Sequence, residues 1–103
     1  MDRIEKLKEY LTATPNDAFL QHALALEYVK KGDDGKAQEL FENLLGSNEN
    51  YVGSYYHLGL LLERKGEEEK AATVYQKGMQ VAKAAGEQHA FNELKAAYEN
   101  LVY

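Results

Sequence analysis

Histidine is the side chain in this sequence best suited to chemistry near neutral pH, and there are three: His22, His57 and His89. Imidazole suits zinc or nickel. A three-histidine site would need all three rings within bonding reach. Packed helix axes lie about 8–10 Å apart, which lets neighbours meet but strains the reach of the outer two. Three readings stay open at this point: half-exposed residues without a special role, contacts to a bound peptide, or metal ligands. The remaining candidates are weaker. No Gly-x4-Gly-Lys phosphate loop and no His-Glu-x-x-His pair occurs. Ser47 and Ser54 have no neighbouring base and orienting group to activate them. Asp33-Asp34-Gly35 resembles a fragment of a calcium loop without the later ligands, and reads as a cap and turn. Glu67-Glu68-Glu69 suits the positive N-terminus of a helix. The expectation is a protein that is not an enzyme, with no catalytic residue, no cofactor and no assigned metal.

The elements that must position these residues are helical. The chain has 103 residues and one proline, so long helices run uninterrupted. It has no cysteine, which excludes disulfides and thiolate metal sites. Its net charge is -5 with no basic stripe, which argues against nucleic acid and anionic membrane as partners. Its N-terminal residues lack the apolar run of a signal peptide, and no apolar stretch approaches the ~20 residues of a membrane span. The expected setting is cytoplasmic.

The chain also repeats itself. Lys30-Lys31-Gly32-Asp33 recurs as Arg64-Lys65-Gly66-Glu67, and 66 minus 32 is 34. The same offset pairs Leu24 with Leu58, Ala25 with Gly59, Ala37 with Ala71 and Phe41 with Tyr75. Each unit reads as two helices, because Leu20, Leu24 and Tyr28, like Tyr55, Leu58 and Leu62, recur at helical spacing. The spacing predicts six helices, at about 2–13, 17–31, 34–45, 51–65, 68–85 and 87–102, in one domain over 1–103. Asp2 and Asp17 are expected N-caps and Gly32 a left-handed stop, while Gly46-Ser47-Asn48 is expected to end the third helix. Tyr28, Phe41, Tyr55, Tyr75, Phe91 and Tyr98 are assigned to packing.

These residues carry a family resemblance. Tyr55-x-x-Leu58-Gly59-x-x-Leu62 followed by Ala71-x-x-x-Tyr75 resembles the tetratricopeptide repeat signature, as does Leu24-Ala25-x-x-Tyr28 followed by Ala37-x-x-x-Phe41. Residues 2–16 resemble a lone second helix closed by Pro15, and Phe91-x-x-Leu94-Lys95-x-x-Tyr98 a lone first helix. Gln21 departs from the aromatic slot, Glu49 from the proline slot, and Leu58 to Leu94 spans 36 residues rather than 34. The resemblance implies an all-α, right-handed superhelical array of antiparallel helix pairs, with two full repeats between a half-repeat and a capping helix. In such arrays the small residues mark close helix crossings, and the first helices line a concave groove.

Mapped on this sequence, the groove slots hold Phe19, His22, Leu26 and Val29, then Tyr56, His57, Leu60, Glu63 and Arg64, then His89, Asn92, Glu93 and Ala96. Some relatives clamp a chaperone's terminal carboxylate through Lys, Arg and Asn in these slots. Here His22, Leu26, His57, His89 and Glu93 stand there instead, and that ligand is not expected. The resemblance implies a protein–protein interaction module or scaffold. Its partner would be a protein or peptide offering apolar side chains to Phe19, Leu26, Tyr56 and Leu60, with basic ones opposite Glu63 and Glu93. The alternative is a self-associating subunit, a homodimer, that uses Ile4, Leu7, Tyr98, Leu101, Val102 and Tyr103 on the end helices.

Overall fold

The computed structural model describes residues 2–103. Six helices and no strand occur among the described residues: α1 (Arg3–Ala13), α2 (Ala18–Lys31), α3 (Asp34–Ser47), α4 (Gly53–Arg64), α5 (Glu68–Ala84) and α6 (Gln88–Val102). They form an all-α helical repeat array. It divides into two compact units, one ending at Asn48 and one spanning Glu49–Tyr103. In the first, α1 packs on α2 and α2 on α3. In the second, α4 packs on α5, α5 on α6, and α6 also reaches α4. No helix among the described residues is long and apolar enough to cross a membrane.

The helix ends follow from short polar side chains and glycine. Asp2 accepts from the Glu5 N–H at 2.8 Å, Asp17 from the Leu20 N–H at 3.0 Å and Asp33 from the Lys36 N–H at 3.2 Å, which satisfies donors that a first helical turn leaves open. Gly32 and Gly66 take φ of 86° and 80°, a region costly for any residue with a Cβ. Each stop closes with the same pair of bonds, one repeat apart. Asp33 N–H donates to the Tyr28 carbonyl at 2.9 Å and Gly32 N–H to Val29 at 3.1 Å. Glu67 N–H donates to Leu62 and Gly66 N–H to Glu63, both at 2.9 Å. The 34-residue period therefore holds at the level of single hydrogen bonds.

The third helix ends later than expected. Gly46 is not at positive φ, α3 runs on through Ser47, and the stop falls to Asn48, whose N–H donates to the Leu44 carbonyl at 2.7 Å.

The core holds Leu24, Ala25, Tyr28, Ala37, Phe41 and Leu44 in the first unit, and Tyr55, Leu58, Leu61, Leu62, Ala71, Tyr75, Ala82 and Leu94 in the second. Leu7 is 4% exposed, so it belongs to this core and not to the end surface that self-association would use. Phe91 and Tyr98 are half-buried rather than core, and Leu94 is the residue α6 buries. The reason is local: α6 packs on α5 and α4 along the face that carries Leu94, and Phe91 and Tyr98 lie at the margins of that face. Its Lys95 stands where α2 has Ala25 and α4 has Gly59, and the close approach is supplied from α5 by Gly78, where a Cβ would lie 3.0 Å from Leu94 Cδ1.

Ala71 is fully buried beside exposed Lys70, which pairs with Glu67 at 4.0 Å. Ala71→Leu is expected to cost roughly 1–3 kcal/mol through overpacking. Lys70→Leu is expected to change stability by no more than about 0.5 kcal/mol, since exposed pairs contribute little. Chemical denaturation of the two variants decides the matter, and equal effects would contradict the assignment of the crossing slot.

Candidate partner-binding site

In the second unit, two stripes at helical spacing face one cleft. Helix α4 supplies Tyr56, Leu60 and Glu63, and α6 supplies Glu93, Ala96, Ala97 and Asn100. The cavity between them measures about 310 Å³. Its lining mixes aromatic, leucine and alanine side chains with two carboxylates and one amide. No lysine or arginine lines it. Leu60 is half-buried while Leu58 and Leu62 on either side of it face the core, at 3% and 2% exposure. That alternation fits a helix with one face packed on α5 and an adjacent face turned to the cleft.

One wall of the cleft is anchored from beneath. Tyr75 on α5 is fully buried and its hydroxyl donates to Glu63 Oε2. Burial raises the Tyr75 hydroxyl above the ordinary tyrosine range, and the bond to Glu63 raises it further. The phenol thus stays protonated and remains a donor. Gly59 makes room for this ring: a Cβ at that position would lie 2.1 Å from the nearest Tyr75 ring carbon. In the first unit the corresponding positions hold Phe41, Ala25 and Val29, and no such bond exists there because Phe41 has no hydroxyl.

His57 stands beside the cleft, half-buried, with its ring edge-on to Tyr56 at 5.5 Å. Burial pushes its imidazole below the usual histidine value, while the Glu93 carboxylate pulls the other way. The net direction is down, so the ring is neutral at pH 7. His89 and Asn92 are exposed on α6 outside the cleft lining, with the Asn92 side-chain oxygen accepting from Gln88 at 2.8 Å. Arg64 is exposed at the end of α4. Ala97 and Asn100 were not singled out from the sequence; they follow from Glu93 by i+4 and i+7, and the α6 period would have found them.

The first unit presents its own face along α2. Phe19 is 68% exposed, and His22, Leu26 and Val29 are half-buried. His22 meets the Phe41 ring edge-on at 5.8 Å.

Among the described residues, no group of three His, Cys, Asp or Glu side chains is placed to hold a metal ion. Zinc is accordingly expected to leave the melting temperature unchanged. A ligand that binds only the native state at a hundred times its Kd would add about 2.7 kcal/mol. A zinc-dependent gain that disappears in His57→Ala would overturn that expectation.

The two units share a further device. In the first, Gln21 Nε2 donates to the Pro15 carbonyl at 2.8 Å; in the second, Tyr55 Oη donates to the Glu49 carbonyl at 2.7 Å. Donor and acceptor are six residues apart in both, and 34 residues separate the two bonds. Gln21 and Glu49, which depart from the aromatic and proline slots, thus take part in equivalent tethers, Gln21 as the donor in the first unit and the Glu49 backbone carbonyl as the acceptor in the second. Each tether pins the loop that leads into the first helix of a unit, and with it the face that helix presents.

No functionally curated protein matches this sequence. The tetratricopeptide repeat profile matches residues 20–51 and 52–84. A crystal structure of a tetratricopeptide repeat domain protein from Salinibacter ruber is 39% identical, with a TM-score of 0.80 over 82% of this chain and 94% of that one. A solution structure of a tetratricopeptide repeat domain protein from the same organism, also 39% identical, superposes with a TM-score of 0.82 over 85% of this chain and 89% of that one. A Bordetella parapertussis protein shares the fold at 21% identity, with a TM-score of 0.84 over 98% of this chain and 88% of that one. Two consecutive profile matches across most of the helical core, with the Leu-Gly and Leu-Ala crossings where that repeat requires them, place the chain in the tetratricopeptide repeat family.

Proposed function

We propose that the chain is a protein-interaction module that holds a peptide or helix of its partner in the α4–α6 cleft of the second unit, while the α2 face of the first unit is a contact surface in its own right. The observation that carries this reading is the cleft itself. Two helical stripes meet around about 310 Å³ with apolar and acidic lining. Recognition grooves on helical scaffolds combine apolar pockets with a few oriented polar groups. Leu60, Tyr56, Leu26 and Phe19 would supply apolar contact, and Glu63 and Glu93 would meet basic side chains. Apolar contact beside oriented carboxylates is an arrangement suited to binding. The test is peptide capture: a random peptide library displayed on phage is panned on the full chain, and the recovered binders are measured against Leu60→Glu. Binding that survives this substitution would show that the partner uses another face.

A second reading, self-association through the end helices, is favoured by the exposure of Val102 and Tyr103, at 42% and 96%, to which the structure adds Tyr10 on α1 at 56%. It loses Leu7, which is core. Light scattering across a concentration series separates the two readings, with a stable dimer favouring the second.

A further inference from the structure

The charges of the α4–α6 cleft are both negative. Glu63 comes from α4 and Glu93 from α6, while the remaining lining is Tyr56, Leu60, Ala96, Ala97 and Asn100. Lysine and arginine are the side chains that match such a place at both ends. Their methylene stems cover apolar surface while the charged head seeks carboxylates. The cleft is also of the right scale, because about 310 Å³ accepts one long side chain and not a folded element. The chain as a whole carries a net charge of -5, so the field around the site attracts cations before contact.

Glu63 is more than one carboxylate in an acidic surface. Tyr75, fully buried in the core, donates to one of its oxygens and so restrains the carboxylate. An oriented acceptor loses less freedom on binding than a mobile one, and this is how preorganisation raises affinity and selectivity. The pair is particular to the second unit: Phe41 and Val29 stand in the corresponding positions of the first. A glutamate that served only to solvate a helix surface would need no buried anchor, nor the Gly59 opening that admits the anchor's ring.

We infer that the α4–α6 cleft is a receptor for a single lysine or arginine side chain of the partner segment, with Glu63 and Glu93 receiving the cationic head and Tyr75 acting as a positioning residue for Glu63. This inference rests on the groove reading above and makes it specific: the partner presents a basic residue flanked by apolar ones.

The experiment uses the Leu60-dependent peptides recovered from the phage library. The inference expects lysine or arginine to be enriched at one position among them. Replacing that residue by norleucine, which keeps the stem and removes the charge, should weaken binding to the native chain about tenfold or more, or ~1.4 kcal/mol. In Glu63→Gln or Glu93→Gln the same replacement should matter less than about threefold, because the cation's partner is already gone. Tyr75→Phe should reduce the preference for the cation over norleucine while leaving the affinity for the norleucine peptide unchanged. A merely structural role for Tyr75 would weaken both peptides alike. Thermal melts establish that each variant is folded. Leu60-dependent peptides with no basic enrichment, or a norleucine loss that is undiminished in Glu63→Gln, would overturn the inference and leave the groove reading standing. A library that yields no Leu60-dependent binder would remove both.

Discussion

Gly59→Ala is expected to lower stability by about 2 kcal/mol or more, although the same exchange in an open helix interior would raise it by about 1 kcal/mol. The sign turns on one contact. A methyl group at position 59 would lie 2.1 Å from a ring carbon of Tyr75 and 2.6 Å from two others, well inside van der Waals contact. The ring cannot swing aside cheaply. It is fully buried, and its hydroxyl is bonded to Glu63. Relief must come from separating α4 and α5, which opens the core around Leu58 and Leu62. For a domain of this size the loss corresponds to a melting temperature about 8 °C lower or more. The first unit supplies an internal control, since Ala25 stands there with Phe41, a ring free of any hydroxyl tether. The double variant Gly59→Ala/Tyr75→Phe should therefore lose less than the sum of the two single losses. A Gly59→Ala chain as stable as the native one in denaturant titration would mean that the ring does not sit where the structure puts it.

That pairing shows which parts of the molecule the sequence could reveal. The helices and their stops were legible because each rests on short-range rules: Asp17 and Asp33 cap within three residues, and Gly32 and Gly66 stop at positive φ. The crossing slots were legible because Ala37 and Ala71, or Ala25 and Gly59, repeat at one offset. What escaped were bonds whose partners lie on different helices or exchange chemical type. The Tyr75–Glu63 bond joins α5 to α4, and no local pattern announces it. Gln21 looked like a lapse from an aromatic slot, yet it makes the same tether as Tyr55, because the slot asks for a donor that reaches back six residues and an amide satisfies it as well as a phenol. Of the residues mapped to the groove, Tyr56, Leu60, Glu63, Glu93 and Ala96 line one cleft, and His89 and Asn92 do not. The 36-residue spacing into α6, longer than the repeat, made the register of that helix the hardest to carry over.

Leu60→Glu is expected to leave the fold intact and to weaken partner capture by about tenfold or more. The core of α4 is built by Tyr55, Leu58, Leu61 and Leu62, all nearly fully buried, whereas Leu60 is half-buried and lines the cleft. A glutamate there can turn its carboxylate to solvent in the free chain, so the stability change should stay within about 0.5 kcal/mol of zero, plus a small repulsion from Glu63 and Glu93. Binding removes that escape. If the partner segment binds as proposed, the methylene stem of its basic residue and the apolar residues beside it lie over position 60, and the new carboxylate must be desolvated against them, which costs at least ~1.4 kcal/mol. Leu26 holds the corresponding position on α2 of the first unit, half-buried in the same way, so Leu26→Glu should behave alike wherever the partner also engages that unit. Circular dichroism establishes folding and titration calorimetry against a recovered peptide gives the affinity. Unfolding of Leu60→Glu would make this leucine part of the core and erase the cleft as a binding surface. A folded Leu60→Glu chain that binds as tightly as the native one would send the partner elsewhere on the molecule.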